Sequence, residues 1–452
     1  MKIAFVAMSG VRVENPELKR VGLTLPGFVE RSQVIASLPS LSLLTMAGLT
    51  PDDIEVEYHE VADLGPDSCA GLDADLVAIS TFTAQIEDAY ALADRLRDAG
   101  IPVVLGGLHV TSLPDEAQAH ADAIVIGEGE LSWPRLVDDF RSNRLAPRYE
   151  ARPGEEFDLA AAPMPRFDLL DIERFNRIPV QTSRGCPHQC DFCASSILLT
   201  RGYKTKPVEK VIAEIHRIKE FWPEPFIELA DDNSFCQRGH ARRLLRALTS
   251  ERLRWFTETD VSIADHPDLL DLLRESGCRQ LLIGLESPTA AALGGVEIRR
   301  DWKLRQFDRY ERAVRVIQSH GITVNGCFVL GLDGHDASVF DSVYDFVERT
   351  GLYDVQITVM TPLPGTPLYE RLERSGRLLY PGVWRRCTLF DVNYVPSRMS
   401  PERLEEGLID LTRRLNDPDF VRERRERFFR QWRRNDRRAS VFDGSPLEPE
   451  GV

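Results

Sequence analysis

The chain has 452 residues, 43% of them hydrophobic and 28% charged, and a formal net charge of −15. That length supports two or three domains with cores of their own, and the acidic balance argues against a broad nucleic-acid surface, which needs a basic face. No apolar run reaches the roughly 18 residues of a membrane span. The opening "MKIAFVAMSG" lacks a signal-peptide cleavage pattern and reads as a buried first strand, so a cytoplasmic chain with reduced thiols is expected.

In chain order, "KIAFVAM" (2–8), "IEVEYHEV" (54–61), "DLVAIST" (75–81), "IPVVLGG" (101–107) and "DAIVIGEGE" (122–130) read as strands. Helical patterns at 40–49, 84–100 and 114–121 lie between them. Strand–helix alternation with β-branched strands predicts a doubly wound, Rossmann- or flavodoxin-like parallel sheet, with its ligand crevice beyond the carboxyl ends of the strands. Residues 142–178 carry Pro147, Pro153, Pro163 and Pro165 and read as a linker.

A second series follows, with strands predicted at 179–185, 225–233, 254–261, 279–287, 323–333 and 354–365 and helices at 207–221, 239–250, 265–276, 302–320 and 337–350. Six βα units fall short of the eight of a full barrel and predict an open, partial TIM-type barrel with its active face at the strands' carboxyl ends. The expected division is 1–141, a linker over 142–178, the barrel over 179–366, a mostly helical extension over 367–438 and a frayed tail over 439–452. Within the extension, residues 419–438 hold nine Arg against four Asp or Glu. They read first as a surface helix with intrahelical ion pairs and second as a docking site for an acidic partner.

The first strand of the second series runs into "QTSRGCPHQCDFCASS" (181–196), with Cys186, Cys190 and Cys193 in eight residues. Structural zinc wants four ligands. This loop offers three cysteines and His188, while Cys236 stands apart. An iron–sulfur cluster fits better, since thiolates are its standard ligands, and three thiolates leave one iron of a four-iron cluster open. Cys69, Cys236, Cys278, Cys327 and Cys387 are scattered and read as small buried residues.

The C-x3-C-x2-C loop, with the aromatic Phe192 before its last cysteine, resembles that of the radical S-adenosylmethionine (SAM) superfamily. The resemblance implies that Cys186, Cys190 and Cys193 hold a four-iron, four-sulfur cluster whose open iron takes the amino and carboxylate groups of SAM. One electron, from an external donor such as flavodoxin or ferredoxin, then releases a 5′-deoxyadenosyl radical. It also implies SAM contacts from Phe192, from Asp231, Asp232 and Asn233 of "LADDN" (229–233), from Glu286 and Ser287 of "IGLES" (283–287), and from Gly331 of "GCFVLGLDG" (326–334). A helix-capping turn is the other reading of the Asp-Asp-Asn run.

"TPLPGTPLYE" (361–370) resembles the sixth-strand end of one large branch of that superfamily, in which a cobalamin-binding-like domain precedes the barrel. Residues 1–141 match that arrangement. The resemblance implies that Gly106, Gly107, His109, Thr111, Ser112, Gly127 and Glu128 line the path of the cobalamin tail. The Asp-x-His-x-x-Gly signature is missing, so no axial histidine is offered, and His109 reads as structural or as a tail contact.

The expected function is cobalamin-dependent methylation of an unactivated carbon of a small molecule. One SAM would supply the radical and a second would methylate the cobalt. The alternatives are a non-methylating radical dehydratase, deoxygenase, cyclase or rearrangement enzyme, and a non-catalytic iron–sulfur or corrinoid sensor. No acid or base is assigned. Tyr203, Glu258, Asp260, Asn325, Tyr353 and Trp384 are candidates to face the cavity, and Cys327 is a candidate radical relay set against an inert buried thiol.

Overall fold

The computed structural model describes residues 1–9, 13–21, 38–69, 71–199 and 202–435. The predicted tail and the last three residues of the basic segment lie outside these. Among the described residues no helix is long and apolar enough to cross a membrane.

The first sheet contains β1 (Lys2–Met8), β2 (Glu55–Val61), β3 (Leu76–Ser80), β4 (Val103–Gly106), β5 (Ala123–Ile126) and β6 (Arg148–Glu150). Their order is β2-β1-β3-β4-β5-β6, and every pairing is parallel. Runs such as Ile3 to Ala7, all buried, need cover on both faces. Leu43, Ala47, Trp133, Leu136 and Val137, from helices Leu41–Leu49 and Gly129–Arg141, supply one layer. Helix Ile86–Asp98 supplies the other through Ile86, Ala89, Ala93 and Leu96. The sequence places five strands here; the sixth comes from the segment read as linker. A three-residue edge strand, exposed–buried–exposed, is too short to show a period.

The second sheet contains β7 (Ile178–Val180), then, after a ribbon of β8 (Ser183–Arg184) and β9 (Lys204–Thr205), the strands β10 (Phe226–Leu229), β11 (Arg254–Thr259), β12 (Cys278–Glu286), β13 (Thr323–Leu330) and β14 (Asp354–Val359). Its order, β14-β13-β12-β11-β10-β7, is parallel throughout. These are the six βα units of the predicted partial barrel. The predicted first strand breaks after Val180 because Asp231 takes the backbone N–H groups of Thr182 and Ser183 at 2.7 and 2.8 Å, drawing the chain out of the ladder.

The helical extension spans both units. Leu404, Leu408, Leu411 and Leu415 of helix Pro401–Leu415 join the barrel core, whereas Trp384 and Cys387 join the core of the first sheet. Helix Pro418–Asn435 has a wet face with ion pairs Arg422–Asp419 and Arg430–Glu426, as the charge pattern predicts. Its other face is structural: Arg424 is buried and donates to the carbonyls of Leu352 and Leu415. Tyr353, a cavity candidate from sequence, packs on Phe428 and Phe429 of this helix instead.

At Gly407 an added Cβ would collide with the Phe340 ring, which is itself buried. Gly407→Ala is therefore expected to destabilise by about 1–3 kcal/mol, as overpacked cores do. A lowered guanidinium midpoint with an unchanged slope is the measurement that checks it.

Candidate active site: a cysteine loop at the mouth of the barrel

The three cysteines sit between β8 and a short π-helical turn, Ser195–Leu199, at the carboxyl ends of the barrel strands. All three are free thiols. Cys190 is buried, its backbone bridges to Glu297, and the N–H of Cys193 donates to the Cys190 carbonyl at 3.1 Å. Burial pushes the Cys186 thiol up to about 11 and also raises Cys190 and Cys193. Among the described residues no group of three or more His, Cys, Asp or Glu is arranged to hold a metal ion. The donor set that converges here is sulfur, the ligand type of iron–sulfur clusters. Phe192 is partly buried against the barrel core.

The "LADDN" turn braces the cysteine loop. Asp231 is buried, and it accepts from Thr182 and Ser183. Asp232 accepts from the Gly185 N–H at 2.7 Å through one oxygen and from the Ser195 hydroxyl through the other, tying both flanks of the cysteine loop. The Asn233 amide donates to Asp260 at 2.8 Å and lies 3.9 Å from the Cys186 sulfur. These three side chains thus direct polar atoms to the loop and its supports. None of them caps the helix that follows, whose N-cap is Gln237. Cys236, set apart by the sequence, lies beside them, and its thiol donates to the Asn233 carbonyl at 3.4 Å.

Asp260 also faces His188 of the loop at 3.4 Å, and His188 stacks on Trp302 with ring centroids 4.1 Å apart. Burial works against the Asp260 charge, yet hydrogen bonds from His188, Asn233 and Ser262 outweigh it and hold the carboxyl below its ordinary range.

Glu286 ends β12 with φ +61 and is buried. It pairs with the ammonium of buried Lys303 at 2.8 Å, and Lys303 also donates to the Gly284 carbonyl at 2.6 Å. Burial disfavours the Lys303 charge, but Glu286 and Cys190 overcome it and raise its pKa. A buried cation next to the thiols favours their deprotonated form. Nothing in the sequence marks Lys303, since one Lys in a helical stretch is ordinarily a solvated residue. Ser287 is fully buried and bonds to His335 at 2.8 Å and to Thr289, so its hydroxyl shapes the loop. At Gly331 (φ +84) a Cβ would strike the Tyr394 hydroxyl, which donates to the Gly331 carbonyl at 2.7 Å. This glycine admits a tyrosine of the extension.

Glu258 on β11 keeps more than a third of its surface open, yet its carboxyl lies among other acidic groups of the barrel. Burial within the barrel, followed by Glu228, Asp232 and Glu286, pushes its carboxyl up to about 8. Cys327 and Asn325 of β13 share a strand face, and the buried Asn325 side-chain oxygen has no partner. Tyr203 donates to the Ser234 carbonyl at 3.0 Å. Trp384 lies away from the lumen, donating to Glu116 at 3.0 Å.

The residues expected to take cobalamin gather at the carboxyl edge of β4 and β5. Gly107 (φ 112) is required there: a Cβ would come within 3.2 Å of the Ser80 hydroxyl and the Thr81 carbonyl. At neighbouring Gly106 a Cβ would make only ordinary contact with Val125. Thr111 donates to the Gly107 carbonyl and accepts from the Gly127 N–H at 3.0 Å, fixing the turn after β5. Ser112 donates to Leu108, and its side chain faces Gly365 of the barrel. His109 is fully buried and bonded to Glu116 at 3.2 Å, while its Nδ1 is a buried atom without a partner. Glu128 is taken up by ion pairs with Arg184 and Lys204, which leaves it no oxygen for a ligand tail. The helix Leu108–Ser112 packs directly on Ser195–Leu199, bringing the crevice of the first sheet against the cysteine loop.

The Glu258 carboxyl releases its proton more readily in the unfolded chain than in the folded one. Between about pH 5 and pH 8 the native state binds the extra proton, and stability from this group falls as pH rises. Glu258→Gln is expected to gain stability over the parent protein across that window and to show no widening gap below it, as read by denaturation at a series of pH values.

Comparison with known proteins agrees with this geometry. The family model described as "Radical SAM superfamily" matches residues 180–347, "B12 binding domain" matches 43–137, and a domain of unknown function, DUF4070, matches 366–445. An uncharacterized methyltransferase of Synechocystis sp. is 28% identical over 401 residues, covering 87% of this chain and 73% of that protein. Hopanoid C-2 methylase of Rhodopseudomonas palustris is 28% identical over 357 residues, covering 77% and 66%. Among solved structures, the radical SAM methyltransferase TsrM of Kitasatospora setae, with cobalamin and a four-iron, four-sulfur cluster bound, aligns with a TM-score of 0.67 at 16% identity, over 92% of this chain and 89% of that one. With the thiol loop at the barrel mouth and the parallel sheet set against it, the chain carries a radical SAM domain over 180–347 and a B12 binding domain in front of it over 43–137.

Proposed function

We propose that the protein is a cobalamin-dependent radical SAM methyltransferase acting on a carbon of a small molecule, with an external one-electron donor. The observation that carries this reading is the direct packing of the first sheet's carboxyl edge, at Leu108–Ser112, on the turn that follows Cys193. When bound, the cluster with SAM supplies a hydrogen-abstracting radical and cobalamin supplies the methyl group.

The chain's own residues do the holding. Cys186, Cys190 and Cys193 are the cluster ligands, and Asp232 fixes the two ends of their loop. Lys303, neutralised in part by Glu286, favours the Cys190 thiolate and is placed to face a carboxylate at the cluster. The lumen beyond offers Glu258, protonated at neutral pH, and the unpartnered Asn325 oxygen to a polar group of the substrate. The relatives named as methyltransferases support methyl transfer over other radical chemistry.

The test is anaerobic reconstitution with iron, sulfide and hydroxocobalamin, then incubation with SAM and dithionite. The expected result is about four irons per chain, a separate corrinoid absorbance, and both 5′-deoxyadenosine and S-adenosylhomocysteine as products. Replacing Cys186, Cys190 and Cys193 together by Ala is expected to remove the iron and the 5′-deoxyadenosine. 5′-Deoxyadenosine without S-adenosylhomocysteine would eliminate methyl transfer and leave a radical reaction of another type.

A further inference from the structure

Glu128 and Glu130 follow the carboxyl end of β5, either side of Gly129, and both reach across to the barrel. Arg184 receives them as a fork: one terminal nitrogen lies 2.8 Å from Glu128, the other 2.6 Å from Glu130 and 3.0 Å from the Gln181 side-chain oxygen. Lys204, on the strand paired with β8, donates to both oxygens of Glu128 at 3.2 Å and to the Phe157 carbonyl at 3.0 Å. The Phe157 N–H completes the set, donating to Glu128 at 3.3 Å. Two carboxylates meet two cations, so the group is neutral, and its side chains keep only 6–18% of their surface.

The place of Arg184 in the chain gives this network its meaning. Two residues later comes Cys186, and the intervening Gly185 is held by Asp232. The carboxyl edge of the first sheet is thereby connected to the cysteine loop through one guanidinium. Forked arginine–carboxylate pairs fix direction as well as distance.

We infer that Glu128, Glu130, Arg184 and Lys204 form a clamp that sets the spacing between the cobalamin side and the cluster side of the active site. They are positioning residues, and Glu128 serves this clamp in place of a ligand contact. The inference rests on the proposed cobalamin-dependent reaction for its purpose, though not for its geometry. A methyl donor and a radical source on separate domains must converge on one substrate carbon, and displacements of about 1 Å between reacting groups cost roughly a hundredfold in rate. A buried ion-pair cluster suits that task because breaking one partner is costly even where the intact cluster adds little net stability.

The test compares the parent chain with Glu130→Gln and Arg184→Met by amide hydrogen exchange on the full-length protein without added cofactors. A clamp predicts that each variant raises exchange about tenfold or more in both 123–130 and 183–195, with 354–359 unchanged. The double variant should be no worse than the worse single one. Exchange rising on the barrel side alone would make Arg184 a local brace of its own loop and overturn the inference, as would no change at all. In reconstituted protein, Glu130→Gln is expected to keep iron content and 5′-deoxyadenosine within about twofold of the parent, while S-adenosylhomocysteine falls about tenfold or more. Loss of both products in equal measure would overturn the positioning role. A parent protein that forms no S-adenosylhomocysteine would refute the methyl-transfer reading, and the exchange result would still decide the clamp.

Discussion

The site depends on one turn, Asp231-Asp232-Asn233, at the end of β10. A loop carrying three thiols has little intrinsic reason to hold a shape, because its residues make few backbone bonds to one another. Here the shape comes from outside. Asp231 takes the N–H groups that would have prolonged β7, Asp232 holds the loop before Cys186 and after Cys193, and Asn233 supports Cys186 from Asp260. These carboxylates sit at the mouth of the barrel, Asp231 buried there, where unmet polar atoms are expensive, and each oxygen that turns toward the loop is satisfied.

From that turn outward the architecture is a pair of parallel sheets meeting at the edge where α/β proteins bind ligands. The first sheet presents its β4 and β5 ends, the barrel its thiol loop, and the helical extension fastens both. Trp384 enters the core of one unit while Leu404 and Leu408 enter the core of the other. Tyr394 reaches the Gly331 carbonyl at the barrel rim, and Asp391 accepts from the N–H groups of Glu14 and Asn15 near the chain's beginning. The segment that sequence describes only as helical and mixed is thus the tie between the two halves.

Much of this was legible in the sequence, for physical reasons. Eleven of the strands in the two sheets announce themselves as β-branched runs between amphipathic stretches, a signal parallel sheets give strongly because both faces are buried. β6 gave none, being three residues long at an edge. The cysteines were legible because three thiols in eight residues have few other uses. The partners of the loop were harder. The bonds that Asp231, Asp232 and Asn233 make to the cysteine loop could not be read from spacing, since a carboxylate's neighbours depend on which strand end it meets. Lys303, Arg184 and Asp260 gain their roles only when distant segments close around them, and spacing along the chain carries none of that. Tyr353 and Trp384 failed as lumen residues because an aromatic side chain serves any apolar seam, and both found one made by the extension.

The extension's division of labour bears on how such enzymes can be recombined. Exchanging the front domain with that of a relative would leave the Trp384 indole facing a foreign surface and the Asp391 carboxylate without the amides of Glu14 and Asn15. A workable chimera has to carry residues near 384–391 along with the amino-terminal module. The natural unit of exchange is discontinuous in the gene although it is continuous in space.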